Sequence, residues 1–304
     1  MNRILELKIE EDMAEKSIKQ ILTGYYKMST RFINRLKLTK GITLNGRVVN
    51  VTAIVQQDDI MMITMPIEFS ENIVPTPMDI KIQYEDEDIM VVDKPPEMPV
   101  HPSQGNFSNT LANGVVYYWQ QKEQIFMYRP VNRLDKGTSG LMTIAKNQYA
   151  HQQLADQIIS KELKRKYIAV AHGYIHQDEG KIDLPIAREE GSTIKRMISA
   201  EGRQAVTYYK VVNRINHFTV VELTLKTGRT HQIRVHLSHM GYPLVGDWLY
   251  GKEEPELINR QALHSYYLEF THPVSKIPMR FTSEIPEDMK KLVGNHINTM
   301  EQKE

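Results

Sequence analysis

Apolar residues recur along this chain with two periods, and the alternation between them predicts the elements. Helical spacing places Ile18, Ile21 and Leu22 on one side of residues 15–22. It places Phe32, Ile33 and Leu36 on one side of a second helix, opened by the N-cap candidates Ser29 and Thr30. The same spacing returns over residues 110–121, 148–163 and 230–240, the last stopped by Gly241 and Pro243. Pro286, Glu287 and Asp288 open a short closing helix. Apolar runs or strict alternation predict strands at 60–65, 89–92, 141–145, 167–171, 205–212, 218–225 and 262–270. Asn45-Gly46 between β-rich flanks predicts a hairpin. Residues 1–13 show no clear period, and 174–200 read as a polar loop or hairpin at the rim. Pro66, Pro75 and Pro77 mark a linker over about 66–79. The expected organisation is therefore a small module over residues 1–75 and a larger domain over 80–304. Strands mixed irregularly with helices imply an α+β class with a largely antiparallel sheet.

Composition narrows the chemistry. The 304 residues include no cysteine, which excludes disulfides, thiolate metal sites and a cysteine nucleophile. No apolar run is long enough to cross a bilayer, and the start lacks a signal-peptide core, so a cytoplasmic monomer is expected. The net charge is only +1, but its distribution is uneven. Residues 16–57 contain no Asp or Glu, yet hold Lys16, Lys19, Lys27, Arg31, Arg35, Lys37, Lys40 and Arg47. Such a block is either a footprint for a polyanion or a solvated basic face.

Three stretches carry candidate chemistry. In the first, Asp135 lies between Arg133 and Lys136 and precedes Gly137, Thr138, Ser139 and Gly140. A carboxylate on an irregular loop anchored by a core strand is well placed to react, although Asp also serves simply to turn a loop. In the second, Tyr167 stands at an expected strand start beside Lys161, Lys164, Arg165 and Lys166. In the third, residues 227–241, Arg229 falls at a strand-to-helix turn and Thr230, His231 and Gln232 in the helix's first turn. His231, His236 and His239 do not share one face and no acid in the stretch completes a site, so no metal is expected. The proline-rich segment 94–102 is a stiff extended loop, with Lys94 and His101 at its ends able to meet phosphate.

The N-terminal module resembles an S4-type RNA-binding domain in Ser29-Thr30-Arg31, Leu44-Asn45-Gly46 and Asp58-Asp59-Ile60. Residues 80–285 resemble the catalytic domain of RluA-type pseudouridine synthases. The matching motifs are Tyr84-Glu85-Asp86, Lys94-Pro95, Arg133-Leu134-Asp135 with Thr138-Ser139-Gly140, Lys166-Tyr167, Gly202 with Ala205 and Thr207, the run from Thr227 to His236, Gly246-Asp247, Leu263-His264 and His272-Pro273. Two positions depart from that pattern: Asn132 stands where the family usually has His, and Glu97 where it often has Gly.

The resemblance implies the pseudouridine synthase fold and isomerisation of specific uridines to pseudouridine in structured RNA. Ribosomal RNA of the 23S type is the foremost expected substrate and transfer RNA the alternative. It implies no cofactor. Asp135 would be the nucleophile, Arg229 its ion-pair partner, and Tyr167 a proton-transfer group whose phenolate the neighbouring cations favour. RNA contacts are expected at Arg133, Asn132, Lys94, His101, Thr138, Ser139, Lys166 and Arg234, and on the module at Arg31, Arg35, Lys37 and Lys40. The target base would be flipped out of its strand. A catalytically idle RNA chaperone is the competing reading. A phosphotransferase, suggested by Asp135-Lys136-Gly137-Thr138, lacks a second acidic magnesium ligand nearby.

Overall fold

The computed structural model describes residues 3–294; the outer ends of the two expected domains lie outside the described residues. The N-terminal module contains β1 (Ile4–Lys8), α1 (Ile18–Gly24), α2 (Thr30–Leu38), β2 (Ile42–Leu44), β3 (Arg47–Val48) and β4 (Ile60–Thr64). Its antiparallel sheet runs β1-β4-β2-β3. Ser17 and Gln20 close a capping box at α1, and the Ser29 hydroxyl accepts the Phe32 amide at α2. The inward residues Ile18, Ile21, Leu22, Phe32, Ile33 and Leu36 pack with Met61 and Ile63. Asn45 and Gly46 both have positive φ, 50° and 78°, as a two-residue hairpin turn requires.

The larger unit contains β5 (Lys81–Glu85), β6 (Ile89–Lys94), α3 (Leu111–Gln121), β7 (Arg129–Pro130), β8 (Ser139–Ala145), α4 (Gln148–Ser160), β9 (Lys164–His172), β10 (Glu179–Asp183), β11 (Ile186–Arg188), β12 (Arg196–Ile198), β13 (Val206–Ile215), β14 (Phe218–Leu225), α5 (Gln232–His239), β15 (Leu263–Thr271), β16 (Pro278–Thr282) and α6 (Glu287–Val293). Its main sheet runs β10-β13-β14-β9-β15-β8-β6-β5, with β16 beside β15 and β7 beside β8. The sole parallel pairing among the described strands joins β8 to β15. The class is α+β with a largely antiparallel sheet, as the pattern predicts. Strand β8 crosses close to β15 at Gly140, whose φ is 109° and where a Cβ would lie 2.2 Å from the Ser265 carbonyl. Only glycine permits that approach, and it fixes the loop immediately before β8.

Several expectations are corrected. Helix α4 closes early, at a left-handed Lys161 (φ 68°), and β9 starts before Tyr167, taking in Lys164, Arg165 and Lys166. Tyr167 is therefore inside its strand. The polar excursion holds β10, an unforeseen edge strand, and the separate hairpin β11–β12. Helix α5 begins only at Gln232, leaving Thr230 and His231 outside it.

The segment 66–79 carries no regular structure but is tied down. The Glu68 carboxylate pairs with both Arg35 and Arg129, the Ser70 hydroxyl accepts the Tyr128 amide at 2.9 Å, and Asn113 Nδ2 donates to the Val74 carbonyl at 2.7 Å. The module itself docks on α4. Gln152 accepts the Ser29 amide at 3.0 Å and donates to the Lys27 carbonyl at 2.7 Å, and Tyr149 stacks on Phe32 with centroids 6.4 Å apart.

Candidate active site

Asp135 lies on the loop between β7 and β8, where the Thr138 amide donates to its carbonyl at 3.1 Å. Three buried side chains hold that loop. Arg260 donates to the Gly137 carbonyl (3.0 Å), Gln261 Nε2 to the Thr138 hydroxyl (3.1 Å) and Lys94 Nζ to the Lys136 carbonyl (3.0 Å). The Asp135 carboxylate remains 25% exposed and its Oδ2 faces Arg234 Nη1 at 3.3 Å.

Arg234, on α5, is 4% exposed and held on its other edge by Asp247, with Nε–Oδ2 and Nη2–Oδ1 both 2.8 Å. A fork-to-fork pair fixes the plane of a guanidinium, so the remaining Nη1 points at Asp135 by construction. Burial acts against the charge on Arg234, but Asp247 and Asp135 outweigh it and the pKa is raised. On the same side of Asp135, His231 Nε2 stands 3.9 Å from Oδ2 and Nδ1 2.9 Å from the Tyr250 hydroxyl. The Tyr250 ring in turn lies 5.1 Å beneath the Arg234 guanidinium. Tyr167 is buried in β9; burial pushes its phenol pKa up and Asp135 adds to this, against Arg165 and a hydrogen bond with Ser265.

This geometry replaces parts of the expected site. The guanidinium on Asp135 is Arg234 and not Arg229, which is exposed and donates through Nε to the Gln204 carbonyl at 3.0 Å. Arg229 lies in the turn before α5, whereas Arg234 lies within α5, buried and locked by Asp247 toward Asp135. The expected Tyr167 phenolate is disfavoured by burial.

Five expected RNA contacts are interior instead. The Lys94 ammonium is enclosed by the carbonyls of Pro95, Met98 and Lys136, and burial, then Arg260, lower its pKa to about 7. Asn132 is buried with its Oδ1 on the Thr143 amide, Thr138 is buried against Gln261, and the buried Ser139 hydroxyl lies 2.9 Å from His264 Nδ1. Arg234 is likewise interior. Arg35 is engaged by Glu68, and Lys166 faces Glu222 at 3.7 Å and the Tyr267 ring at 5.2 Å. Arg133, His101, Arg31, Lys37 and Lys40 are exposed. Glu97, at φ 59°, lies 3.7 Å from Lys136.

The residues not anticipated as functional are Asp247, Tyr250, Arg260 and Gln261. Gly246-Asp247 stands out in the sequence as a turn motif, whereas Arg260-Gln261 carries no local signal. One group of potential metal ligands converges among the described residues, Asp86, Asp88 and His272. Asp88 is gripped by Arg3 (2.8 Å) and His272 Nε2 faces Asp86 (2.8 Å), so these groups pair within the protein at the junction with the module. No helix among the described residues is long and apolar enough to cross a membrane.

The fold is that of pseudouridine synthase domains. Human RNA pseudouridylate synthase domain containing 1 superposes with a TM-score of 0.57 at 24% identity, covering 70% of this chain and 86% of that one. The RNA pseudouridylate synthase family model matches residues 88–239, and the RluD ribosomal pseudouridine synthase N-terminal domain matches residues 5–61. The uncharacterised RNA pseudouridine synthase YlyB of Bacillus subtilis is 38% identical over 298 residues, spanning 97% of this chain and 98% of the relative. Ribosomal large subunit pseudouridine synthase D of Zymomonas mobilis is 37% identical over 248 residues, 77% of this chain and 78% of its own. The chain belongs to the RNA pseudouridine synthase family, with an S4-like N-terminal domain.

Proposed function

We propose that this enzyme isomerises uridines of large-subunit ribosomal RNA, with Asp135 as nucleophile on a base flipped into the site. The observation that carries the reading is the Asp135 carboxylate, open on one side and clamped on the other by Arg234, itself locked by Asp247. The substrate class is supported by relatives named ribosomal large subunit pseudouridine synthase D.

The reaction breaks the bond between ribose C1′ and uracil N1, turns the base, joins C1′ to C5, releases the C5 hydrogen as a proton and places a proton on N1. It is redox-neutral and calls for a carboxylate at the ribose or base, which attacks one of them or assists elimination to a glycal. A paired guanidinium keeps such a carboxylate ionised and aimed. Tyr167, which burial holds as a neutral phenol, serves in this reading as the proton-transfer group for the flipped nucleoside. The part of the chain up to about residue 75 serves as the RNA-holding module, through exposed Arg31, Lys37 and Lys40. Residues from about 80 onward form the catalytic domain, with Arg133 and His101 at its rim.

The test is pseudouridine mapping in large-subunit ribosomal and transfer RNA transcripts after incubation with wild type and Asp135→Ala. Product at discrete ribosomal positions with wild type alone is expected, with RNA binding preserved in the variant. Product only in transfer RNA would overturn the substrate, and product from Asp135→Ala the nucleophile.

A further inference from the structure

We propose that His231 is a positioning residue for Asp135, oriented by Tyr250. The inference rests on Asp135 as nucleophile. His231 caps α5 with φ 57° and ψ 18° and makes no side-chain cap hydrogen bond. A left-handed conformation is unfavourable for a non-glycine residue, so the surrounding contacts must hold it there. Those contacts are specific. The His231 ring stands edge-on to the Tyr250 ring, with centroids 5.6 Å apart at 79°, and its Nδ1 is 2.9 Å from the Tyr250 hydroxyl.

That hydroxyl also accepts the Arg196 amide, at 2.8 Å, from hairpin β11–β12. Among the described residues the only acceptor within hydrogen-bond reach of the Tyr250 proton is His231 Nδ1, so in this arrangement Nδ1 accepts and Nε2 carries the hydrogen. Nε2 is the atom facing Asp135 Oδ2, at 3.9 Å. Burial keeps the ring neutral by lowering its pKa; Arg234 and Arg196 act the same way, and Asp135 and Asp247 oppose them.

Oδ2 of Asp135 is thus bracketed by Arg234 Nη1 and by the His231 Nε2–H, leaving Oδ1 for the nucleoside. The gap to His231 is too long for a hydrogen bond in the free enzyme and closes when substrate fills the site, as catalytic contacts commonly do. The arrangement also couples hairpin β11–β12 to the carboxylate through one hydroxyl.

The experiment compares wild type, Asp135→Ala, His231→Gln, His231→Asn and Tyr250→Phe in single-turnover pseudouridine formation, with RNA affinity and melting temperature measured alongside. Glutamine places its amide nitrogen near the position of Nε2, whereas asparagine reaches only that of Nδ1. His231→Gln is expected within about threefold of wild type and His231→Asn slower by about tenfold or more, at unchanged RNA affinity. Tyr250→Phe, which keeps the imidazole but frees its tautomer, is expected to lose about three- to tenfold. Equal rates for the two His231 variants, or a wild-type rate in Tyr250→Phe, would overturn the proposal. If the melting temperature shows that the variants at one of these two positions do not fold, the rates at the other position decide. A wild type that makes no pseudouridine would instead overturn the proposed function.

Discussion

Lys94 joins the proline-rich segment to the Asp135 loop, because its ammonium meets carbonyls of both. Burial and Arg260 bring its pKa from 10.5 to about 7, against the opposing pull of Asp135 and Glu97. Between those values the unfolded chain holds a proton that the folded chain has released, so stability rises with pH. The stability of wild type minus that of Lys94→Met, from urea unfolding, is expected to grow by about 1.4 kcal/mol per pH unit between about pH 7.5 and 9.5. A difference that stays flat would show the ammonium charged throughout. Lys94 also shows what a sequence conceals at this scale. Its charge suggests phosphate, and only the enclosing carbonyls reveal a loop brace. Arg229 and Arg234 lie in one legible motif, but which of them meets Asp135 is settled by the pairing of Arg234 with the distant Asp247, which no local pattern shows.

Elements with strong periodicity and good caps are readable: α2 behind Ser29, α3 behind Thr110, and the Asn45-Gly46 hairpin. Strands β10 and β16 are not, because each lies at or beside a sheet edge and alternates too weakly to stand out from polar loop. The docking of the module is also hidden, since it rests on pairings across long sequence separations. Arg3 donates to both oxygens of Asp88, at 2.9 and 2.8 Å, and the Asp88 side chain is only 4% exposed. Arg3→Ala leaves that carboxylate with Asn147 and without its cation. Unfolding by urea is expected to show a loss of about 2–3 kcal/mol, with easier proteolytic cleavage in residues 66–79. An unchanged stability and digestion pattern would mean that α4 and Glu68 hold the module unaided.

Across the whole molecule, the exposed cations of the module and the Asp135 site belong to one docked unit, so in the proposed function RNA bound along α2 would reach the site at a set distance. The docking rests on Gln152, Tyr149, Asp88 and Glu68, and the Asp135 loop on Gly140, Arg260 and Lys94. The central claim is the role proposed for the Asp135 carboxylate. The most direct test is release of tritium from C5-labelled uridine in large-subunit ribosomal RNA by wild type and Asp135→Asn, a change that keeps the shape and removes the charge. Release by wild type, with none by the variant despite equal RNA binding, is the predicted result; release by Asp135→Asn at a comparable rate would contradict the account.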